Sequence, residues 1–129
     1  MSAVVFDSSV ILAAILGEPG GDDVFDRIEE AMVSSVNVAE VYTYAAVNAF
    51  PAEAIDAFFA DTGIEVVAFS HDQAVVAGRF AAVTRKAGLS LGDRACLALA
   101  ARRGADVLTA DRPWAVVAEE LGVSITLLR

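Results

Sequence analysis

VFDSSVILAAI, residues 5–15, runs from an apolar stretch through an aspartate and two serines into a second apolar stretch. Residues 3–6 read as a short buried strand, and 8–16 as a helix stopped by Gly17 and Pro19. That places Asp7 at the carboxyl end of the strand. A carboxylate beside a buried strand has to be paired, hydrogen-bonded, protonated or bound to a cation. Outward from this junction the same alternation repeats. Further helices are predicted over 20–31, 36–50, 52–63, 72–88, 90–104 and 112–122, with strands over 32–35, 64–70, 105–110 and 123–128. The whole chain, 1–129, therefore reads as a single α/β domain with about five short strands. Its mostly parallel sheet is covered by helices on both faces. In such sheets the working crevice lies beyond the carboxyl ends of the strands.

The bulk composition narrows the classes. The apolar fraction of 57% suits a compact core, and no apolar run approaches the roughly 20 residues of a membrane span. No export signal opens the chain, so the expected compartment is the cytoplasm. Cys96 is the one cysteine, which excludes an internal disulfide and a cysteine-rich zinc site; set in CLALAA, it reads as packing within a helix. The net charge of −9 is segregated. Residues 1–72 hold thirteen of the eighteen acids and one base, Arg27, whereas residues 73–129 hold five acids and eight bases. The total argues against a nucleic-acid binder with an overall basic footprint, but leaves room for a local basic rim.

Four acids stand where the fold would gather them. Asp7 and Asp111 each follow a predicted strand, Glu40 lies in an otherwise apolar helical stripe with Val36, Tyr44 and Val47, and Asp93 opens the helix after Ser90. Each has a local alternative. Asp7 and Asp111 can cap the helices that follow them, and Asp93 completes a Ser-x-x-acid capping box. Glu40 has the weakest such alternative, since no Lys or Arg lies within one helical turn. One shared divalent cation accounts for all four together. Hard cations such as Mg²⁺ or Mn²⁺ take carboxylate oxygens, waters and substrate phosphate. Converging carboxylates without a cation raise one another's pKa. Such a site needs neither a histidine base nor a side-chain nucleophile, and the only histidine, His71, falls at a strand-to-helix junction. Ser8, Ser9 and Thr109 offer hydroxyls that could orient the ligands, or simply cap helices. Arg94 and Arg112, each beside an acid, are candidate phosphate contacts or partners of those acids. Trp114 reads as packing.

The set FDSSVILAAILGEPG, the lone Glu of VNVAEVYTY, and LSLGDRACLALAARRGADVLTADRPW resembles the PIN-domain family, and within it the VapC toxins of toxin–antitoxin pairs. The resemblance covers nearly the whole chain, in order and at matching spacing. It implies a three-layer α/β/α sandwich whose acids bind Mg²⁺ or Mn²⁺ and hydrolyse RNA, leaving 5′-phosphate and 3′-hydroxyl ends. The family's main acidic positions fall on Asp7, Glu40 and Asp93, and its more variable fourth on Asp111. The resemblance further implies a homodimer, inhibition by a cognate antitoxin, and contact with operator DNA only through that partner. Two other readings keep the fold. One is a non-catalytic interaction module acting through its antitoxin complex, the other a PIN-type nuclease of RNA maturation. Aspartyl-phosphate chemistry on Asp7 fits less well, because the position two residues on is Ser9 and the only lysine, Lys86, lies in a predicted helix.

Overall fold

The computed structural model describes residues 3–129. Five strands, β1 (Val4–Phe6), β2 (Ala31–Ser34), β3 (Glu65–Val67), β4 (Asp106–Thr109) and β5 (Ile125–Leu127), form one sheet in the order β3-β2-β1-β4-β5. Every pairing is parallel. The helices are α1 (Ser8–Leu16), α2 (Gly21–Val24), α3 (Ser35–Val47), α4 (Ala52–Thr62), α5 (His71–Thr84), α6 (Leu91–Arg103) and α7 (Trp114–Leu121).

Alternate residues of each strand enter different cores, as the two-residue period of a strand requires. Val4, Phe6, Val33 and Leu108 pack with Val10 and Ile11 of α1, Val24 of α2, Val41 and Ala45 of α3, and Ile55 and Phe58 of α4. Val5, Met32 and Val107 face the other way, onto Cys96, Leu97 and Leu99 of α6 and Trp114 and Val117 of α7. Two cores with one sheet between them make the expected three-layer α/β/α sandwich. The acid-rich first part of the chain supplies the α1–α4 layer, and the base-richer remainder supplies α5–α7. No helix among the described residues is long and apolar enough to cross a membrane.

The boundaries depart from expectation in physically readable ways. The helix expected over 20–31 is one α-helical turn, α2, followed by a 3-10 segment, Phe25–Glu30. Asp22, Asp26 and Glu30 would stack at steps of four along a continuous α-helix, where like charges repel. Gly21 lets α2 approach α1 closely, because a Cβ there would lie 2.2 Å from the Ala13 carbonyl oxygen. The long helix expected over 72–88 ends at Thr84 and tightens into a 3-10 turn, Arg85–Ala87, before Gly88. The strand expected over 64–70 shrinks to three residues at a sheet edge, where it pairs only with β2.

Candidate active site at the carboxyl ends of β1 and β4

β1 lies between β2 and β4, so connections leave it to both sides and the topological switch point falls at the β1–β4 boundary. Phe6 pairs with Leu108, which brings Asp7 and Thr109 side by side just past that register. The Asp7 N–H still donates to the Leu108 carbonyl at 3.4 Å. Asp7 is 3% exposed, and its carboxylate is fully engaged. Oδ1 accepts from Ser9 Oγ at 2.6 Å and from the Val10 N–H at 3.2 Å, and Oδ2 accepts from Thr109 Oγ1 at 2.8 Å. The helix-cap reading of Asp7 is thus part of the structure: it is the N-cap of α1. Its carboxyl is nevertheless pushed up to about 6, because burial outweighs the Ser9, Thr109 and Val10 hydrogen bonds; the charge of Asp93 adds to the rise.

Asp93 sits in the capping box of α6, with its Oδ2 accepting from the Ser90 N–H at 2.9 Å and its own N–H donating to Ser90 Oγ at 3.2 Å. Its pKa is also raised, first by burial, against the two Ser90 hydrogen bonds, with the charges of Glu40 and Asp111 adding to the rise. Glu40 finds its partner one turn back on α3. Asn37 Nδ2 donates to Glu40 Oε1 at 2.8 Å and to the Gly92 carbonyl at 3.0 Å. Asp111 does not cap α7, whose N-cap is Pro113. Instead Asp111 Oδ2 accepts from Trp114 Nε1 at 3.0 Å, so Trp114 is both fully buried packing and a donor to the site.

Asp7 thus feels Asp93, and Asp93 feels both Glu40 and Asp111. Cys96 lies fully buried as expected, and burial pushes its thiol well up, with Asp7, Asp93 and Glu40 adding. The four acids come from β1, α3, α6 and the end of β4 and share one locality.

The arrangement is open rather than closed. Among the described residues no three His, Cys, Asp or Glu side chains approach closely enough to hold a metal ion. Each carboxylate is drawn to its own local donors, as mutually repelling acids are. The chemistry of the donor set still fits a hard divalent cation. All the groups are carboxylates, hydrogen bonds engage one oxygen each of Glu40, Asp93 and Asp111, and a cation would offset the burial, and the smaller repulsion, that raise Asp7 and Asp93.

The neighbouring residues divide differently from expectation. Ser9, not Ser8, makes the bonds: its hydroxyl serves Asp7 and accepts from the Ala110 N–H at 3.0 Å. Thr109 joins the two strand-end acids, accepting from the Asp111 N–H at 3.0 Å while it donates to Asp7. Arg94 directs Nη1 to the Ala77 carbonyl at 3.0 Å and so ties α6 to α5. Arg112 is exposed beside Asp111, and His71 is exposed at the start of α5. Asn37 and Gly92 were not singled out in the sequence. Only their spacing to Glu40 and Asp93, three residues before the one and immediately before the other, marks them.

Fold and site together define an α/β/α domain with four acids gathered at a parallel-sheet switch point. Residues 4–120 match the PIN domain, and the chain belongs to that family, which is one of nucleases. The whole chain superposes on DNA-bound VapBC from Salmonella typhimurium, with a TM-score of 0.79 and 18% identity, covering 100% of each chain. VapBC2 from Rickettsia felis, bound to a promoter DNA fragment, gives 0.75 and 15%, covering 97% and 98%. VapBC-5 from Mycobacterium tuberculosis gives 0.67 and 21%, covering 100% and 99%. At these identities the likeness shows a shared fold. A comparison with curated proteins returned no significant sequence match.

Proposed function

We propose that this chain is a divalent-metal-dependent endoribonuclease that acts in the cytoplasm as the toxin of a toxin–antitoxin pair. The observation that carries the reading is the gathering of four acids at the β1–β4 switch point: Thr109 bonds both Asp7 and the Asp111 backbone, and Asn37 bonds both Glu40 and the Gly92 carbonyl beside Asp93. These four would hold Mg²⁺ or Mn²⁺. A cation bound by them would supply Lewis-acid chemistry for phosphodiester hydrolysis, including activation of water.

The chain's own residues set up that chemistry. Ser9, Thr109 and the Val10 amide fix both oxygens of Asp7. Trp114 fixes one oxygen of Asp111 and excludes water behind it. Arg112, exposed and next in sequence to Asp111, would serve as a phosphate contact. The local acidity requires the RNA to bring its cation or meet it already bound, and single-stranded or looped RNA offers the accessible strand.

The structural neighbours are toxin–antitoxin complexes, two of them bound to DNA. By analogy the partners here are a cognate antitoxin, a second copy of the chain, and operator DNA reached through the antitoxin.

The test is cleavage of a small-RNA pool by antitoxin-free protein with Mg²⁺ or EDTA, beside Asp7→Asn. Discrete cuts that need both the metal and Asp7, with 5′-phosphate ends, support the proposal. Equal inertness of folded, metal-loaded wild type and Asp7→Asn moves the reading to a binding module.

A further inference from the structure

We propose that Asn37 is the positioning residue of the candidate site, holding the Glu40 carboxylate in place against a gap that only glycine at position 92 leaves open. The inference rests on the metal-dependent reading above and deepens it.

Asn37 is fully buried on α3. Both of its recorded hydrogen bonds run from Nδ2, to Glu40 Oε1 at 2.8 Å and to the Gly92 carbonyl at 3.0 Å. The second bond crosses to the first turn of α6, so one amide group links the helix that carries Glu40 with the helix that carries Asp93. With both partners acceptors, the amide orientation is fixed: nitrogen toward them, oxygen away.

Among the described residues that oxygen has no partner. Asn37 Oδ1 is buried and unbonded. A buried acceptor left unsatisfied is unfavourable, and an apolar residue in its place would avoid the cost. A residue kept at such a cost is expected where function, not packing, sets the choice. The donor it presents to Glu40 is what an apolar residue cannot supply.

Gly92 completes the device. A Cβ on residue 92 would lie 2.2 Å from Glu40 Oε2, 2.4 Å from its Cδ and 2.6 Å from Oε1. The carboxylate therefore occupies the space a side chain would take, pressed flat against the α6 backbone. Nothing in the backbone conformation demands glycine here, since Gly92 is helical and has no positive φ. The requirement is the closeness of Glu40. Asn37 holds that carboxylate from one side, the bare backbone receives it on the other, and Asp93 follows directly in sequence.

Residues that orient a metal ligand typically change metal affinity about 10- to 100-fold when removed. The experiment is Mn²⁺ titration of the intact chain by calorimetry, with thermal melts in EDTA, for wild type, Asn37→Ala, Asn37→Ser and Gly92→Ala. The expected result is Mn²⁺ binding about tenfold or more weaker in Asn37→Ala and Gly92→Ala, with Asn37→Ser between Asn37→Ala and wild type because its hydroxyl keeps one donor. Tm in EDTA should not follow that order, since Asn37→Ala also removes the unsatisfied oxygen. Wild-type Mn²⁺ affinity in folded Asn37→Ala overturns the positioning role, whatever happens to Tm. If Asn37→Ala does not fold, Asn37→Ser decides, with wild-type Mn²⁺ affinity overturning the positioning role; wild-type affinity in Gly92→Ala would overturn the need for a bare backbone against Glu40. Absence of Mn²⁺ binding by wild type would instead sink the metal-dependent reading, and this inference with it.

Discussion

Thr109 and Asp7 lie 102 residues apart in sequence, and the Thr109 hydroxyl donates to Asp7 Oδ2 at 2.8 Å within a buried pair. The Thr109 Oγ1 in turn accepts from the Asp111 N–H. One hydroxyl thus fixes the carboxylate that ends β1 and the backbone that presents the acid beyond β4.

Thr109→Val keeps the shape and removes the donor. Asp7 Oδ2 then has no partner, at a cost of about 1–3 kcal/mol at neutral pH. The carboxyl, already pushed up to about 6, rises further. Urea melts at pH 7 should show the lost stability, and the acid limb of the cleavage profile should move to higher pH. An unmoved limb would mean that Thr109 does not tune Asp7.

Asp7 also makes the metal-free fold pH-sensitive. Its carboxyl titrates near 6 in the fold against 3.8 for an exposed aspartate, so between those values the folded state holds a proton that the unfolded chain has released. Stability therefore falls as pH rises through this window, and the penalty is complete above about pH 6. A shift of about two units corresponds to roughly 3 kcal/mol. In EDTA at pH 8, Asp7→Asn should be more stable than wild type by up to that amount, with the gap closing below about pH 4. Mn²⁺ at concentrations that load wild type but not Asp7→Asn should reverse the order, since wild type then gains more from the cation. An Asp7→Asn variant less stable than wild type in EDTA at pH 8 would falsify the burial penalty.

Arg112 tests the RNA side of the site. It is exposed, next to Asp111, and its guanidinium is available to a phosphate. Arg112→Ala should weaken RNA binding about equally for all sequences and lower the salt-dependence slope by about 1. Arg94, which holds the Ala77 carbonyl, should behave differently, with Arg94→Ala lowering Tm and leaving the slope alone. Filter binding over a salt series separates the two.

Much of the fold is legible in the residue pattern alone. The alternation of short strands and helices along the chain points to a parallel sheet, with Asp7 and Asp111 at predicted strand ends, Glu40 in an apolar helical stripe and Asp93 three residues after Ser90. What the sequence concealed was contact across the fold. Ser8 and Ser9 are equivalent as letters, and only helix phase turns Ser9 back onto Asp7 and Ala110. Asn37 and Gly92 lie 55 residues apart, so their bond follows from how α3 packs on α6 and from no local pattern. Trp114 was read as packing because it is large and apolar in context. Its N–H reached Asp111 because α7 starts three residues later, behind Pro113.

Trp114 gives the site a built-in reporter. It is the only tryptophan in the chain, fully buried, and its Nε1 donates to Asp111 Oδ2. A cation that draws on Asp111 must perturb that hydrogen bond, and Mn²⁺ close to the indole quenches its emission. Titration with Mn²⁺ should therefore change tryptophan fluorescence saturably, at the concentrations where calorimetry detects binding. Asp7→Asn should shift the midpoint to higher Mn²⁺ without altering the metal-free spectrum, because Asp7 makes no recorded hydrogen bond to Trp114. Asp111→Asn should change the metal-free spectrum itself, since the carboxylate that accepts the indole N–H becomes a neutral amide. A fluorescence response identical in wild type and Asp111→Asn would place the cation away from Asp111 and reduce the holding set to Asp7, Glu40 and Asp93.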